Sequence, residues 1–293
     1  MSGLLLSVAA ALIGIVGLAS QSVGQTRVPV VASFSILGDL ARSVGGERVE
    51  VVTLVGPGGD AHVYTPTPSD AKTIAAAKLV IVNGLGFEGW LPRLLQSAGA
   101  KAAIVTASRG ITARRQGGAD DPHAWQSVAN AKIYAGNIRD ALVAADPAGA
   151  EAYRANTDAY LAKLDALDRE VRDAVATIAP ERRKVISTHD AFGYLAAAYG
   201  IAFIAPQGVS TESEASARDV AAIISQIRKS GIPAVFLENV SDPRLMTRIA
   251  AETGATIGGT LYSDSLTAEN GDAPTYIAMI QHNIRTLTRA LAP

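Results

Sequence analysis

The sequence predicts an α/β fold in which two βα lobes with parallel sheets are joined by a single long backbone helix. Three observations carry this prediction. Short apolar runs alternate with amphipathic segments in the first half of the chain, and the same rhythm returns in the second half. A stretch without strand-like runs, whose apolar residues fall on one stripe of a helix, separates the two halves. The 293 residues suffice for two lobes of ordinary domain size.

The first element in chain order is a targeting segment, predicted as a signal peptide over residues 1–25. Residues 3–19 are apolar and uncharged, and small polar residues follow them. The alternative is an N-terminal membrane anchor, although an apolar run of about 17 residues is at the lower limit for a span. No Lys or Arg precedes the run, which weakens the signal-peptide prediction. The chain has no cysteine for a disulfide or a lipid anchor, so we expect a freely soluble mature protein in the periplasm.

The N-terminal lobe is predicted over residues 26–147. Its apolar runs read as buried parallel strands, and amphipathic helical patterns lie between them, as at 36–44 and 88–97. The predicted strands cover residues 28–34, 49–55, 78–84 and 101–107.

The connecting helix is predicted over residues 148–179. Apolar residues recur there at steps of three, four and seven, which places them on one stripe. Pro147 precedes the pattern and Pro180 ends it. The alternative is an ordinary long surface helix within one domain. The stripe consists of Tyr153, Tyr160, Leu164, Leu167, Val171, Val175 and Ile178.

The C-terminal lobe is predicted over residues 180–293. Strand-like runs return, with helical patterns at 215–230 and 242–253. The predicted strands cover residues 184–189, 201–206, 234–239 and 255–261. The net charge of −1 gives no basic excess, so nucleic acid is not an expected partner.

Three of the four histidines stand in loops beside these strands. His62 follows the second strand, His123 precedes a helix, and His189 ends a strand of the second lobe; Asp264 lies just past another strand. His282 falls in the middle of a helical pattern instead. Each residue alone is more often a packing or capping residue. Together they place two candidate ligands in each lobe, where an interlobe cleft would unite them as a metal site.

Three imidazoles and one carboxylate form an N₃O set, which suits four-coordinate Zn²⁺ and not the oxygen cages of Ca²⁺ or Mg²⁺. No HExxH or GxSxG motif is present, and a filled shell leaves no position for an activated water. These features favour a carrier over an enzyme. The alternatives are a zinc-dependent hydrolase, with Asp264 as its base, and a surface adhesin.

Several motifs resemble those of the solute-binding proteins of metal ABC importers, the zinc and manganese group. They are GGDAHVYTPTPSD (58–70), VNGLGFEGWL (82–91), DPHAW (121–125), THDAFGYLAAAYG (188–200), FLENVSDPR (236–244) and LYSDSL (261–266). The resemblance implies two βα lobes, one connecting helix and one metal ion in the cleft. Its ligand positions fall on His62, His123, His189 and Asp264.

The third ligand position separates the branches of that family. Carriers of manganese tend to have Glu there and carriers of zinc tend to have His, so His189 indicates zinc, with manganese as the alternative. Many zinc members also have a long His-rich loop before the second ligand. Here residues 111–121 contain no His, and we expect no auxiliary metal capture by this loop.

The resemblance also implies partners. We expect a monomer that binds one zinc ion and delivers it to an ABC transporter permease, with a periplasmic metallochaperone as a further candidate partner. Four residues are candidates for supporting the ligands: Glu238, Asn130, Tyr64 and Trp125. For each of them a capping or packing role is the alternative.

Overall fold

The computed structural model describes residues 27–292. The predicted signal peptide at 1–25 lies outside them. The first half of the chain forms the elements β1 Val28–Phe34, α1 Ser35–Gly45, β2 Val49–Val55, α2 Pro68–Ala76, β3 Leu79–Val82, α3 Leu91–Ser97, β4 Ala103–Thr106, β5 Arg115–Gln116, β6 Ala119–Asp120 and α4 Val128–Ala145.

The second half begins with the long helix. Its elements are α5 Ala150–Ala176, β7 Lys184–Ile186, α6 Gly193–Tyr199, β8 Ala202–Ile204, α7 Ala217–Ser230, β9 Ala234–Glu238, α8 Arg244–Thr253, β10 Thr256–Leu261 and α9 Tyr276–Leu291.

Two separate parallel sheets confirm the predicted α/β class. The first has the strand order β2-β1-β3-β4, and the second has the order β10-β9-β7-β8. In parallel sheets of this kind, ligand-binding residues collect beyond the carboxyl ends of the strands. The loops after β2, β7 and β10 therefore start from positions suited to a shared site.

Helix α5 has 27 residues, or about 40 Å at about 1.5 Å per residue. The predicted stripe from Tyr153 to Val175 is its buried face. It packs against α1 and α4 of the first half and against α6 and α9 of the second. One cluster of buried side chains extends from β1 through α5 to α9. The lobe boundaries at 26–147, 148–179 and 180–293 stay predictions.

Two local features differ from the sequence-based expectation. The helix expected from residue 88 begins at Leu91, because the Glu88 side chain binds the loop before it. A short hairpin of β5 and β6 occupies the loop before His123. Its turn residues Gly117 and Gly118 both have positive φ, at 59° and 88°, which glycine adopts without steric cost.

No helix within residues 27–292 has both the length and the apolar character that crossing a membrane requires.

Candidate metal centre

His62 lies in the loop between β2 and α2, the Gly-rich stretch after the second strand. Its backbone N–H donates to Asp60 Oδ1 at 2.9 Å, which fixes the turn that carries the ring. The ring packs edge-on against Phe87, with centroids 4.6 Å apart. His62 is 7% exposed.

His123 stands between β6 and α4, in a loop that its neighbour Asp121 organises. Asp121 Oδ1 accepts from the backbone N–H of His123 at 3.0 Å and lies 2.9 Å from His123 Nδ1. The carbonyl of Pro122 accepts from Asn83 Nδ2 at 2.9 Å. With Nδ1 held by a carboxylate, Nε2 is left as the free ligand atom.

His189 follows β7, and Glu238 at the end of the adjacent strand β9 supports it. Glu238 Oε1 accepts from the backbone N–H groups of Thr188 and His189 at 2.7 and 3.0 Å. Its other oxygen lies 2.6 Å from His189 Nδ1. The predicted supporting role of Glu238 therefore has a geometric basis, since the carboxylate orients both the loop and the ring.

Asp264 follows β10, and contacts from the first half of the chain hold its loop. The carbonyl of the preceding residue, Ser263, accepts from Trp125 Nε1 at 2.9 Å and from Gln126 Nε2 at 2.7 Å. These two donors lie two and three residues after His123 in sequence. The same short segment thus places one predicted ligand and ties down the loop of another.

The structure brings the four predicted ligands together. His123 Nε2 lies 3.3 Å from the Nε2 atoms of both His62 and His189. The Asp264 carboxylate oxygens lie 3.1, 3.4 and 3.5 Å from the Nε2 atoms of His189, His123 and His62. His123, His189 and Asp264 are fully buried.

These separations fit a shared cation. A tetrahedral zinc ion with ligands at about 2.0–2.1 Å has ligand atoms about 3.3 Å apart. The Asp264 oxygens accept no hydrogen bond from any other group within residues 27–292. A buried carboxylate with no donor other than three imidazoles is costly unless a positive charge compensates it. The residue set therefore fits a divalent transition metal.

The pKa shifts at the site follow from these contacts. Burial by itself lowers the pKa of His189, but the Glu238 and Asp264 carboxylates outweigh it and raise that pKa well above its usual range. Burial by itself raises the pKa of Asp264, but His189 and His123 hold it well below its usual range. A raised pKa at His189 strengthens the competition between protons and a metal ion for its ring.

An aromatic wall closes the first-lobe side of the site. Phe34, Phe87 and Trp125 pack with centroids 4.9–5.0 Å apart, and the Trp125 ring lies 5.3 Å from His123. Leu85, two residues before Phe87 and between two glycines, has a positive φ of 56°. A leucine in that conformation is strained.

Buried Glu88 anchors the strained loop. Its carboxylate accepts from Ser33 Oγ and from the backbone N–H groups of Asn83 and Gly84 at 2.6, 2.6 and 3.1 Å. The loop thereby holds Phe87 against His62. Loss of these contacts would remove the apolar cover from the most exposed ligand.

The remaining predicted residues lie further from the ligand atoms. The Tyr64 hydroxyl donates to Asp70 in the first turn of α2, and the Tyr64 ring packs on Trp90. Tyr64 therefore stabilises the start of α2. Asn130 Nδ2 donates to the carbonyl of Ala124, one residue after His123. His282 is on α9 with Nε2 3.1 Å from the carbonyl oxygen of Thr260, away from the cluster.

Sequence reasoning missed Asp121, Asn83, Glu88 and Phe87. The role of Asp121 could have been predicted from sequence. A carboxylate two residues before a candidate His ligand, in a loop with Pro122, can reach the ring. Asn83, Glu88 and Phe87 each make contacts with residues far away in sequence, at Pro122, Ser33 and His62, which a local pattern does not encode.

Changing Glu238 to Gln should weaken metal binding about 10- to 100-fold, the usual cost of losing a group that orients a metal-binding side chain. The amide nitrogen would donate to His189 Nδ1 and force the ring proton onto Nε2, the ligand atom. Competition with a chromophoric chelator measures the affinity. Glu252→Gln, at an exposed position on α8, is the matched control. An affinity within twofold of wild type for E238Q would contradict the assigned role.

Relatives of this chain are named for several different metals. It is 37% identical over 267 residues to the iron-binding protein YfeA of Yersinia pestis, covering 90% of this chain and 86% of that one. It is 36% identical over 265 residues to the manganese-binding lipoprotein MntA of Halalkalibacterium halodurans, covering 90% and 88%. The periplasmic zinc binding protein TroA from Treponema pallidum matches in structure, with a TM-score of 0.88, 30% identity and coverage of 91% and 100%.

These relatives correct the predicted location. The expectation of an unanchored periplasmic protein rested on the missing cysteine, and it is contradicted. The manganese-binding relative and two streptococcal relatives at 28% identity are named lipoproteins, the class that a covalently attached lipid holds at a membrane. The relatives support a place outside the cytoplasm, and the lack of a cysteine is not a basis for excluding an anchor.

The family assignment follows from a match over most of the chain. A family model described as ZnuA, the periplasmic component A of the zinc-uptake complex, matches residues 30–290. That range contains the long helix, all four clustered side chains and both sheets except the first two residues of β1. The chain therefore belongs to the ZnuA family of solute-binding proteins of metal ABC transporters.

Proposed function

We propose that this protein captures one zinc ion outside the cytoplasm with His62, His123, His189 and Asp264 and delivers it to the permease of an ABC importer. The observation that carries the proposal is the convergence of three Nε2 atoms on a buried carboxylate that has no other donor. A charged group in that position needs a compensating positive charge, which a bound metal ion would supply.

The choice of zinc rests on the chemistry of the donor set. Three imidazoles and one carboxylate favour zinc over manganese, in the direction of the Irving–Williams order. The separations between ligand atoms near 3.3 Å match the edge of a small tetrahedron. Manganese is the second candidate, because relatives of similar identity are named for manganese and iron.

Capture and release fit the geometry better than catalysis does. A catalytic zinc keeps one coordination position open for water, whereas four protein ligands fill a tetrahedral shell. Three of the four ligand side chains are fully buried, which leaves little room for a substrate beside the ion. A zinc-dependent hydrolase, with Asp264 as base, is the competing function.

Metal competition tests the choice of ion. Metal-stripped protein is exposed to equal concentrations of zinc and manganese, desalted and analysed for both elements. We expect about one zinc ion per chain, in large excess over manganese. An equal or larger share of manganese would contradict zinc as cargo. Hydrolysis of esters or amides by the zinc-loaded protein, lost in Asp264→Asn, would favour the enzyme instead.

A further inference from the structure

The segment 207–214 after β8 lies beside the metal cluster and contacts both halves of the chain. Its start is fixed next to His189: the Gln207 N–H donates to the carbonyl of Thr188 at 3.3 Å, and the Asp190 N–H donates to the carbonyl of Gly208 at 3.1 Å. We call residues 207–214 the crossing segment.

One hydrogen bond joins the crossing segment to the first half of the chain. Thr211 Oγ1 donates to Asp60 Oδ2 at 2.6 Å. The other oxygen, Asp60 Oδ1, accepts from the backbone N–H of His62 at 2.9 Å. Within residues 27–292 no other hydrogen bond connects the crossing segment to residues before the long helix. A single carboxylate therefore links the position of a ligand to the position of the crossing segment.

Two open cavities adjoin the crossing segment. One of about 390 Å³ reaches His62 and is lined by Phe87, Asp120, Val209 and Glu212. The other, of about 470 Å³, is lined by Asp60, Thr188, Gln207 and Thr211. Residues of the crossing segment line both cavities. If the segment detached from Asp60, the solvent path to His62 would widen.

The path reaches the metal cluster at its least buried member. His62 is 7% exposed, whereas the other three ligands are fully buried. Among the four, His62 is also the one that lines a cavity open to solvent. An ion that leaves the cluster by this route passes His62, whose turn is held by Asp60.

We propose that the Thr211–Asp60 hydrogen bond is a latch that controls the rate of metal exchange, with Asp60 as the positioning residue for His62. This inference rests on the proposed capture of a metal ion. Opening the latch frees the crossing segment and loosens the turn of His62 at the same time. A hydrogen bond to a carboxylate is stronger than a neutral one, so its loss should speed zinc release about tenfold.

The test is the rate of zinc release from the loaded full-length protein into a chromophoric chelator, followed by stopped flow. Thr211→Val keeps the branched shape and removes the donor, and we expect about tenfold faster release. Thr211→Ser keeps the hydroxyl and should restore a rate close to wild type. Thr73→Val, at a half-buried threonine on α2 whose hydroxyl donates to the carbonyl of Ser69, is the control for loss of a hydroxyl elsewhere.

A rate for T211V within twofold of wild type would overturn the latch, and so would equally fast release from T211V and T211S. Hydrogen exchange at the His62 amide gives a second measurement: it should become faster in T211V and stay unchanged in T73V. Unchanged exchange in T211V would contradict the coupling through Asp60. If wild type binds no zinc, the proposed function fails instead, and that outcome is seen before any variant is compared.

Discussion

Changing His123 to alanine is expected to weaken zinc binding about 10²- to 10³-fold. His123 is the central member of the cluster, because its Nε2 lies 3.3 Å from the Nε2 atoms of both His62 and His189. Structural zinc sites with four ligands bind with about 10–16 kcal/mol. Removing one ligand of four takes away roughly a quarter, about 3–4 kcal/mol, and each 1.4 kcal/mol is tenfold in affinity. Chelator competition at fixed pH measures the change.

His282→Ala is the matched control, since it removes the one histidine outside the cluster. Its ring contacts Tyr262 and the carbonyl of Thr260, and neither is a ligand. We expect unchanged zinc affinity. Loss of the metal in H282A together with its retention in H123A would show that the ion binds elsewhere.

Removing the metal is expected to lower the midpoint of thermal unfolding by roughly 10 °C relative to zinc-loaded protein. An ion at about 1,000 times its Kd adds about 4 kcal/mol to the free energy of unfolding. For a chain of this size, 1 kcal/mol corresponds to about 2–4 °C. Calorimetry with zinc and with a chelator in excess gives the difference.

Two comparisons make the stability result specific. Magnesium prefers oxygen ligands and should leave the midpoint unchanged. H123A should have lost most of the zinc-induced shift. An equal shift in H123A would mean that zinc stabilises the protein through surface groups and not through the buried cluster.

The strands were predictable from sequence because buried parallel strands are short apolar runs. The runs at 28–34 and 49–55 coincide with β1 and β2, whereas the run at 78–84 is longer than β3. At the end of that run, Asn83 and Gly84 donate their N–H groups to Glu88 instead of to a neighbouring strand. Periodicity detects apolar runs, but it does not show where a side chain takes over the backbone hydrogen bonds.

The four clustered residues could be singled out from sequence because few His and acidic residues stand in loops after strands in this chain. The contacts that orient them were only partly predictable. Glu238 stood at the end of a strand and was a candidate, but its pairing with His189 depends on β7 and β9 being neighbours in the sheet. The Thr211–Asp60 contact joins residues 151 positions apart, and neither has a distinctive local pattern.

The shared core around α5 has a consequence for the folding unit. Side chains from β1, α5 and α9 form one buried cluster, so neither half can bury all of its apolar surface without the other. The protein should therefore unfold as one cooperative body, and a fragment that ends before the long helix should aggregate. Natural recombination or engineering that exchanges single lobes between relatives would have to preserve the matching face of this helix.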